Sequence, residues 1–124
     1  MPLVWIAGAG TDIGKTYVAA ALLRALRRRG QQSDALKPVA SGYSRDTADH
    51  SDPGRLLAAL GRPIDDANLE HICPLRFAAP LSPPLAAKME GRSIVFDDIA
   101  GMVRARAAAS GRHILLVETA GGVM

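Results

Sequence analysis

The stretch GAGTDIGKT, residues 8–16, decides the fold, because it joins an apolar segment to a helix-like segment through three glycines. The five residues before it, LVWIA, are mostly apolar and lead into Gly8, which is typical of a buried strand. Residues 15–29 repeat apolar side chains at helical spacing and end at Gly30, a typical helix stop. A glycine-rich turn between a strand and a helix indicates a phosphate-binding loop.

Two kinds of phosphate loop have glycines at such a junction. A dinucleotide loop follows G-x-G-x-x-G, but Gly8, Gly10 and Gly14 are spaced one residue too far apart, and Lys15 and Thr16 have no role in it. In a triphosphate loop the lysine reaches the β- and γ-phosphates, and the threonine hydroxyl binds Mg²⁺. The strict triphosphate pattern G-x-x-x-x-G-K-[ST] is also missed by one residue, yet the lysine and threonine favour it.

The rest of the chain alternates strand-like and helix-like segments. After a first strand at 3–8 and the helix at 15–29, the predicted elements are a strand at 33–38, helices at 53–60 and 97–110, and a strand at 113–118. Residues 74–85 contain four prolines and cannot be regular throughout. This order predicts an α/β, P-loop NTPase-like three-layer fold with a mainly parallel sheet, as a single domain over residues 1–124. Since the chain stops just after its strongest strand, we expect that fold to be incomplete.

Composition and charge exclude several classes of protein. With 48% hydrophobic residues and a net charge of +3, a disordered chain is excluded. Arg24, Arg27, Arg28 and Arg29 cluster near the end of the first helix without interleaved aromatic residues, which favours a solvated helix end over a nucleic-acid surface. The single cysteine, Cys73, lies in an apolar context and is expected to be a small buried residue. Without a basic leader or an apolar run of membrane length, we expect a cytoplasmic protein that binds neither nucleic acid nor membrane.

Four polar residues lie where ligands collect in α/β folds, at the carboxyl ends of predicted strands or in the loops beyond them. Lys37 ends the second strand and could neutralise a transferring phosphoryl group, although a surface lysine before a turn fits equally well. Ser41 follows in a loop and could contact a substrate. Glu118 ends the last strand, where an acid beside Mg²⁺ is favoured over a surface glutamate. Asp52 precedes a proline and a short helix, and its position alone favours a helix N-cap.

Taken together, the motifs resemble those of dethiobiotin synthetases, from about residue 3 to residue 124. Five motifs occur in that family's order: GAGTDIGKT, KPVASG, SD before a short helix, PLRFAAPLSPPLAA and VETAGG. The long spacing of the phosphate loop is the family's own. The resemblance implies an ATP- and Mg²⁺-dependent cyclo-ligase that forms the ureido ring of dethiobiotin from 7,8-diaminononanoate and CO₂, through a carbamate and a carbamic–phosphoric anhydride. It also implies a homodimer that binds the diamine across its interface.

The resemblance assigns roles to individual residues by matching position. The loop residues that would bind ATP are Gly10, Thr11, Asp12, Ile13, Gly14, Lys15 and Thr16. The catalytic residues would be Thr11, Lys15 and Lys37. The Mg²⁺ ligands would be Thr16, Asp52 and Glu118, so the resemblance replaces the N-cap interpretation of Asp52. The substrate would contact Ser41, Gly121 and Gly122.

Two positions depart from the family pattern, and one alternative family remains. Asp12 stands where glutamate is frequent, and Thr119 stands where glycine is common, beside the expected substrate pocket. Members of the family are longer, so the chain is expected to be an N-terminal part that is inactive alone. A ParA/MinD-type switch ATPase is the alternative, but it carries an additional lysine early in its loop, where this chain has Gly8, Ala9 and Gly10. A related amidoligase-like enzyme or a regulatory domain is disfavoured by KPVASG and the SPP loop.

Overall fold

A computed structural model of the chain describes residues 3–6 and 12–119. The strands are β1 (Leu3–Ile6), β2 (Ser33–Leu36), β3 (Val39–Ala40), β4 (Leu75–Arg76) and β5 (Ile114–Glu118). The α-helices are α1 (Asp12–Arg28), α2 (Asp52–Leu60), α3 (Asp66–Ile72), α4 (Pro83–Met89) and α5 (Phe96–Ala109), and a 3₁₀ helix spans Arg45–His50. None of the helices in this part of the chain is both long and apolar enough to cross a bilayer.

The main sheet has three parallel strands in the order β1-β5-β2, so the last strand in sequence lies in the middle. In its register Ile6 of β1 pairs with Glu118, and Leu36 of β2 pairs with Val117. The carboxyl ends of the three strands therefore meet at one edge. The two-residue strands β3 and β4 form a separate parallel pair.

Helices cover both faces of the main sheet. Because side chains alternate along a strand, Leu116 and Ala35 join a core cluster with α1, α2 and α3, whereas Val117 and Leu36 join a second cluster with Val103 of α5. These two clusters make three layers, helix on sheet on helix. The predicted α/β three-layer fold with a parallel sheet is confirmed.

Two predicted boundaries within the described residues differ from the structure by more than one residue. The first helix begins at Asp12 rather than at residue 15. The second strand ends at Leu36 rather than at residue 38, because the Lys37 N–H donates to the Ile72 carbonyl instead of a neighbouring strand. The chain therefore leaves the sheet at Lys37.

Two α-helices were not predicted, nor were the 3₁₀ helix Arg45–His50 and the short strands β3 and β4. Helix α3 starts at an N-cap, Asp65, whose side chain accepts from the Asn68 N–H. Helix α4 begins with Pro83 and Pro84, which are tolerated in a first turn because its N–H groups have no partner within the helix. The prolines over 74–85 thus interrupt regular structure, as predicted, and also start a helix.

Cys73 is fully buried in the cluster under α1–α3, as predicted. Its burial raises the pKa of the thiol from 9.0 to about 12, despite the opposing charge of Lys37. The thiol therefore stays protonated and acts as a small hydrophobic group.

The start of α2 is packed directly against the 3₁₀ helix. The N-cap is Ser51, whose hydroxyl accepts from the Gly54 N–H at 3.2 Å, so the N-cap interpretation of Asp52 is wrong by one residue. A Cβ at Gly54 would overlap the carbonyl oxygen of Ala48. Glycine is thus required at position 54 by close approach of two backbones.

We expect Gly54→Ala to destabilise the protein by about 1–3 kcal/mol, because the 3₁₀ helix must move away from α2. Gly101→Ala is the matched control, since Gly101 lies in α5 and its Cβ would meet only the end of Arg104, at 4.0 Å. The control should be neutral or stabilising by up to about 1 kcal/mol, because alanine is the better helix former. Urea unfolding of both variants measures the difference, and equal effects would contradict the close packing.

Candidate functional site

The site lies at the carboxyl edge of the main sheet, where the register brings two charged residues together. Lys37 directly follows Leu36, the partner of Val117, so it leaves β2 at the level of Glu118 on the neighbouring strand. Alternation along β5 places Glu118 on the same face as Leu116, the face covered by α1. The sequence pattern thus predicted the meeting of these residues at one edge, and the structure confirms it.

Lys37 and Glu118 form a buried ion pair. The Lys37 Nζ atom lies 2.7 Å from Glu118 Oε2, and the two residues are 1% and 0% exposed. Thr16 of α1 is also buried, and its hydroxyl donates to the same Oε2 atom at 3.0 Å. The alternatives of a surface lysine at 37 and a surface glutamate at 118 are therefore wrong.

The electrostatic state of Glu118 reflects two opposing influences. Burial raises the pKa of its carboxyl above 4.5, whereas the Lys37 charge and the hydrogen bonds from Lys37 and Thr16 lower it. Burial prevails, so the carboxylate is held in a medium that solvates it poorly. Its second oxygen, Oε1, is buried and has no hydrogen-bond partner among the described residues. A buried carboxylate oxygen of this kind can serve as a ligand for a cation.

Asp52 completes the cluster from the first turn of α2. Because Ser51 caps that helix, the Asp52 carboxylate can approach Lys37, and its Oδ2 atom lies 3.8 Å from Lys37 Nζ. Its side chain is 19% exposed. Two of the three expected metal ligands, Asp52 and Glu118, thus approach Lys37, and the third, Thr16, donates to the Glu118 oxygen that Lys37 also contacts.

Lys15 ties the start of α1 to the end of β5. Its Nζ atom donates to the Thr119 carbonyl oxygen at 3.2 Å, so it lies next to the Glu118 cluster. Gly14, one residue earlier, has open space around the position that a Cβ would take. The other expected residues of the loop and substrate turn (Gly10, Thr11, Gly121 and Gly122) lie outside the described residues, and Asp12 and Ile13 are described only as helix backbone.

Ser41 lies in a small pocket of about 200 Å³ beside the cluster. Asp52 lines the same pocket, as do Tyr43, His50 and Ser51, to which no role was assigned from the sequence. Tyr43 and His50 lie between the KPVASG and SD motifs, and Ser51 is the serine of the SD motif. The pocket therefore connects Ser41 with the acid that approaches Lys37.

A divalent cation fits the chemistry of these donors. Carboxylate and hydroxyl oxygens are the ligands that Mg²⁺ prefers, and Glu118 Oε1 is a buried oxygen without a partner in the described part of the chain. No group of three or more His, Cys, Asp or Glu side chains is gathered in that part of the chain, so the candidate site rests on two carboxylates and a hydroxyl.

Comparison with known proteins places the chain among nucleotide-binding domains. A family described as an AAA domain matches residues 3–124. The ATP-dependent dethiobiotin synthetase of Caulobacter sp. (strain K31) is 51% identical over 124 residues, which are 100% of this chain and 53% of that protein. The one from Phenylobacterium zucineum (strain HLK1) is 44% identical with the same coverage, and the one from Methylobacterium nodulans is 48% identical over 57% of its length. The chain spans about half the length of these curated relatives. The predicted resemblance is confirmed.

We expect Lys37→Met to make stability depend on pH. Without the lysine charge the pKa of Glu118 rises further, so the folded protein holds a proton that the unfolded chain releases above about 4.5. The free energy of unfolding of this variant should therefore fall as pH rises from 5 to 8, with a loss of about 3–5 kcal/mol at the upper end. Urea unfolding across this range measures it.

Two controls separate the ion pair from general effects. Lys37→Met with Glu118→Gln removes both charges and should lose less stability, with a flatter pH dependence, because no uncompensated carboxyl remains at position 118. Lys88→Met removes an exposed lysine and should change stability by at most about 0.5 kcal/mol. If the free energy of unfolding of Lys37→Met varied with pH in the same way as that of Lys88→Met, the buried ion pair would be ruled out.

Proposed function

The chain belongs to the AAA domain family, and from this premise we propose that it is the ATP-binding part of an ATP-dependent dethiobiotin synthetase. The protein would form the ureido ring of dethiobiotin from 7,8-diaminononanoate, CO₂ and ATP. The observation that carries this proposal is the buried cluster of Lys37, Glu118 and Thr16 at the carboxyl edge of the sheet, next to Lys15. The relatives that share this sequence along its full length are named as this synthetase.

The cluster suits the transfer of a phosphoryl group. Such transfer needs positioning and charge neutralisation more than covalent help from the protein. Lys15 would contact the β- and γ-phosphates together with the loop residues from Gly10 to Thr16. Lys37 would neutralise charge on the migrating group. Because Glu118 holds the Lys37 ammonium in place at 2.7 Å, that charge is positioned before substrate arrives.

Mg²⁺ would be held by Thr16, Asp52 and Glu118. When bound, the ion would neutralise charge on the phosphate oxygens that it contacts. The open oxygen Glu118 Oε1 and the exposed part of Asp52 support this assignment. Thr16 and Glu118 already share a hydrogen bond at 3.0 Å, so two of the three ligands are held in place relative to each other.

The reaction would proceed in three steps. One amine of the diamine adds to CO₂ and loses a proton, giving a carbamate. A carbamate oxygen attacks the γ-phosphorus of ATP, and ADP leaves, giving a carbamic–phosphoric anhydride. The second amine attacks the carbonyl carbon, loses a proton and displaces phosphate, which closes the ring. Lys37 and Ser41 would hold the carbamate between the phosphate loop and the pocket of about 200 Å³.

The remaining properties follow from the same proposal. Gly121 and Gly122 would border the substrate, Thr11 would assist catalysis from the loop, and the enzyme would act as a cytoplasmic homodimer with the diamine bound across its interface. The 124 residues would not suffice for activity alone, since the relatives are about twice as long.

We expect Lys15→Ala in the complete protein to lower the rate of ADP release by at least about 100-fold, because the positive charge that neutralises the transferring phosphoryl group is lost. In the unchanged protein, ADP release should require both 7,8-diaminononanoate and bicarbonate. Lys88→Ala, an exposed lysine on α4, is the matched control and should keep the normal rate. Near-normal activity of Lys15→Ala, or diamine-independent hydrolysis stimulated by DNA or lipid, would contradict the proposal.

We expect Asp52→Asn to raise the Mg²⁺ concentration for half-maximal activity about 10–100-fold, because one anionic ligand is lost. The helix should remain capped, since Ser51 is the N-cap. Asp49→Asn removes an exposed acid of the 3₁₀ helix and is the control. A Mg²⁺ titration of ADP release distinguishes the two, and an unchanged Mg²⁺ requirement in Asp52→Asn would exclude it as a ligand.

A further inference from the structure

A hollow of about 320 Å³ lies near the opposite edge of the sheet, beside the amino ends of β2 and β5. It is lined by Arg27 at the end of α1, Arg62 just after α2, and His113 just before β5. Gln31 and Ser33 add polar groups to its lining, and no carboxylate of the described residues lines it. Two guanidinium groups and an imidazole, from three separate segments, thus face one concave surface.

Arg27 is positioned by the backbone of the neighbouring helix. Its guanidinium lies over Gly61, the residue that ends α2 with a φ of 73°, and any Cβ there would overlap it. Glycine at 61 therefore serves both the left-handed turn and the approach of Arg27. Within the described ranges no carboxylate lies at ion-pair distance from Arg27.

A second hollow of about 350 Å³ adjoins Arg27 and is lined also by Arg24 and Arg28. Of the four arginines of the two hollows, Arg62 is paired with a carboxylate, that of Asp34, at 3.3 Å. The carboxyl ends of α1 and α2 contribute about half a negative charge each. About two positive charges therefore remain. Arg24, Arg27 and Arg28 are exposed, as expected of a solvated helix end, whereas Arg62 is half-buried.

The two adjoining hollows share Arg27, and together they are called the arginine hollow. We propose that the arginine hollow binds a small anion of charge about −2 that carries a phosphate group. Guanidinium groups match phosphate oxygens with two parallel hydrogen bonds, which an ammonium cannot do. The volumes admit a phosphate monoester or pyrophosphate. The residual charge equals that of such a ligand, which would relieve the repulsion between Arg27 and its neighbours. The arginine hollow is separate from the Lys37 cluster, and anion binding there does not require the proposed synthetase activity.

The test uses the complete protein with Lys15→Ala, so that the phosphate loop contributes little to binding. Calorimetric titration with inorganic pyrophosphate should show one saturable site, and Arg27→Gln should weaken it about tenfold or more. Arg24→Gln is a second variant and should weaken it in the same direction. Arg104→Gln, an exposed arginine on α5, removes the same charge and should change affinity by less than about twofold.

A parallel titration with glycerol 3-phosphate identifies the source of the phosphate group. Tighter binding of pyrophosphate supports the proposal and identifies the ligand as a free inorganic phosphate. Tighter binding of glycerol 3-phosphate supports the proposal and identifies the ligand as an organic phosphate monoester. The proposal is overturned if neither compound binds saturably, or if Arg27→Gln behaves like Arg104→Gln. It is also overturned if only a single-stranded oligonucleotide binds with dependence on Arg27.

Discussion

The ion pair between Lys37 and Glu118 is the interaction on which the rest of the site depends. Removing two charges from water costs several kcal/mol per ion, and the 2.7 Å contact and the hydrogen bond from Thr16 offset that cost. Because one carboxylate oxygen accepts from both residues, the ends of β2 and β5 and the first turn of α1 are held in a single arrangement. Lys15 adds a third connection through the Thr119 carbonyl.

Much of this arrangement could be predicted from the sequence, because it depends on short-range rules. Apolar runs and helical spacing located β1, α1, α2, α5 and β5 to within a few residues. Parallel strands place their carboxyl ends together, so Lys37 and Glu118 were expected at the same edge. The family resemblance added Asp52, which its own position had assigned to a helix cap.

The rest depended on contacts between distant parts of the chain. That Thr16 and Lys37 share one oxygen of Glu118 requires interatomic distances that no residue pattern contains. Helix α3 was missed because seven residues are too few to show a clear apolar period. The arginines at the end of α1 looked like an ordinary helix end, because Arg62 and His113 join them only after the chain has folded back.

The strand order has a consequence for the timing of folding during synthesis. β1 and β2 do not pair with each other, and each pairs with β5, which leaves the ribosome after both of them. At ordinary rates of translation, β2 waits on the order of ten seconds for its partner. Until then the unpaired strands and the amphipathic helices can pack only incompletely. The final strand pairing is slow because it must close long loops. The nascent chain therefore carries exposed strand edges until β5 has been made, the interval in which a chaperone would protect it best.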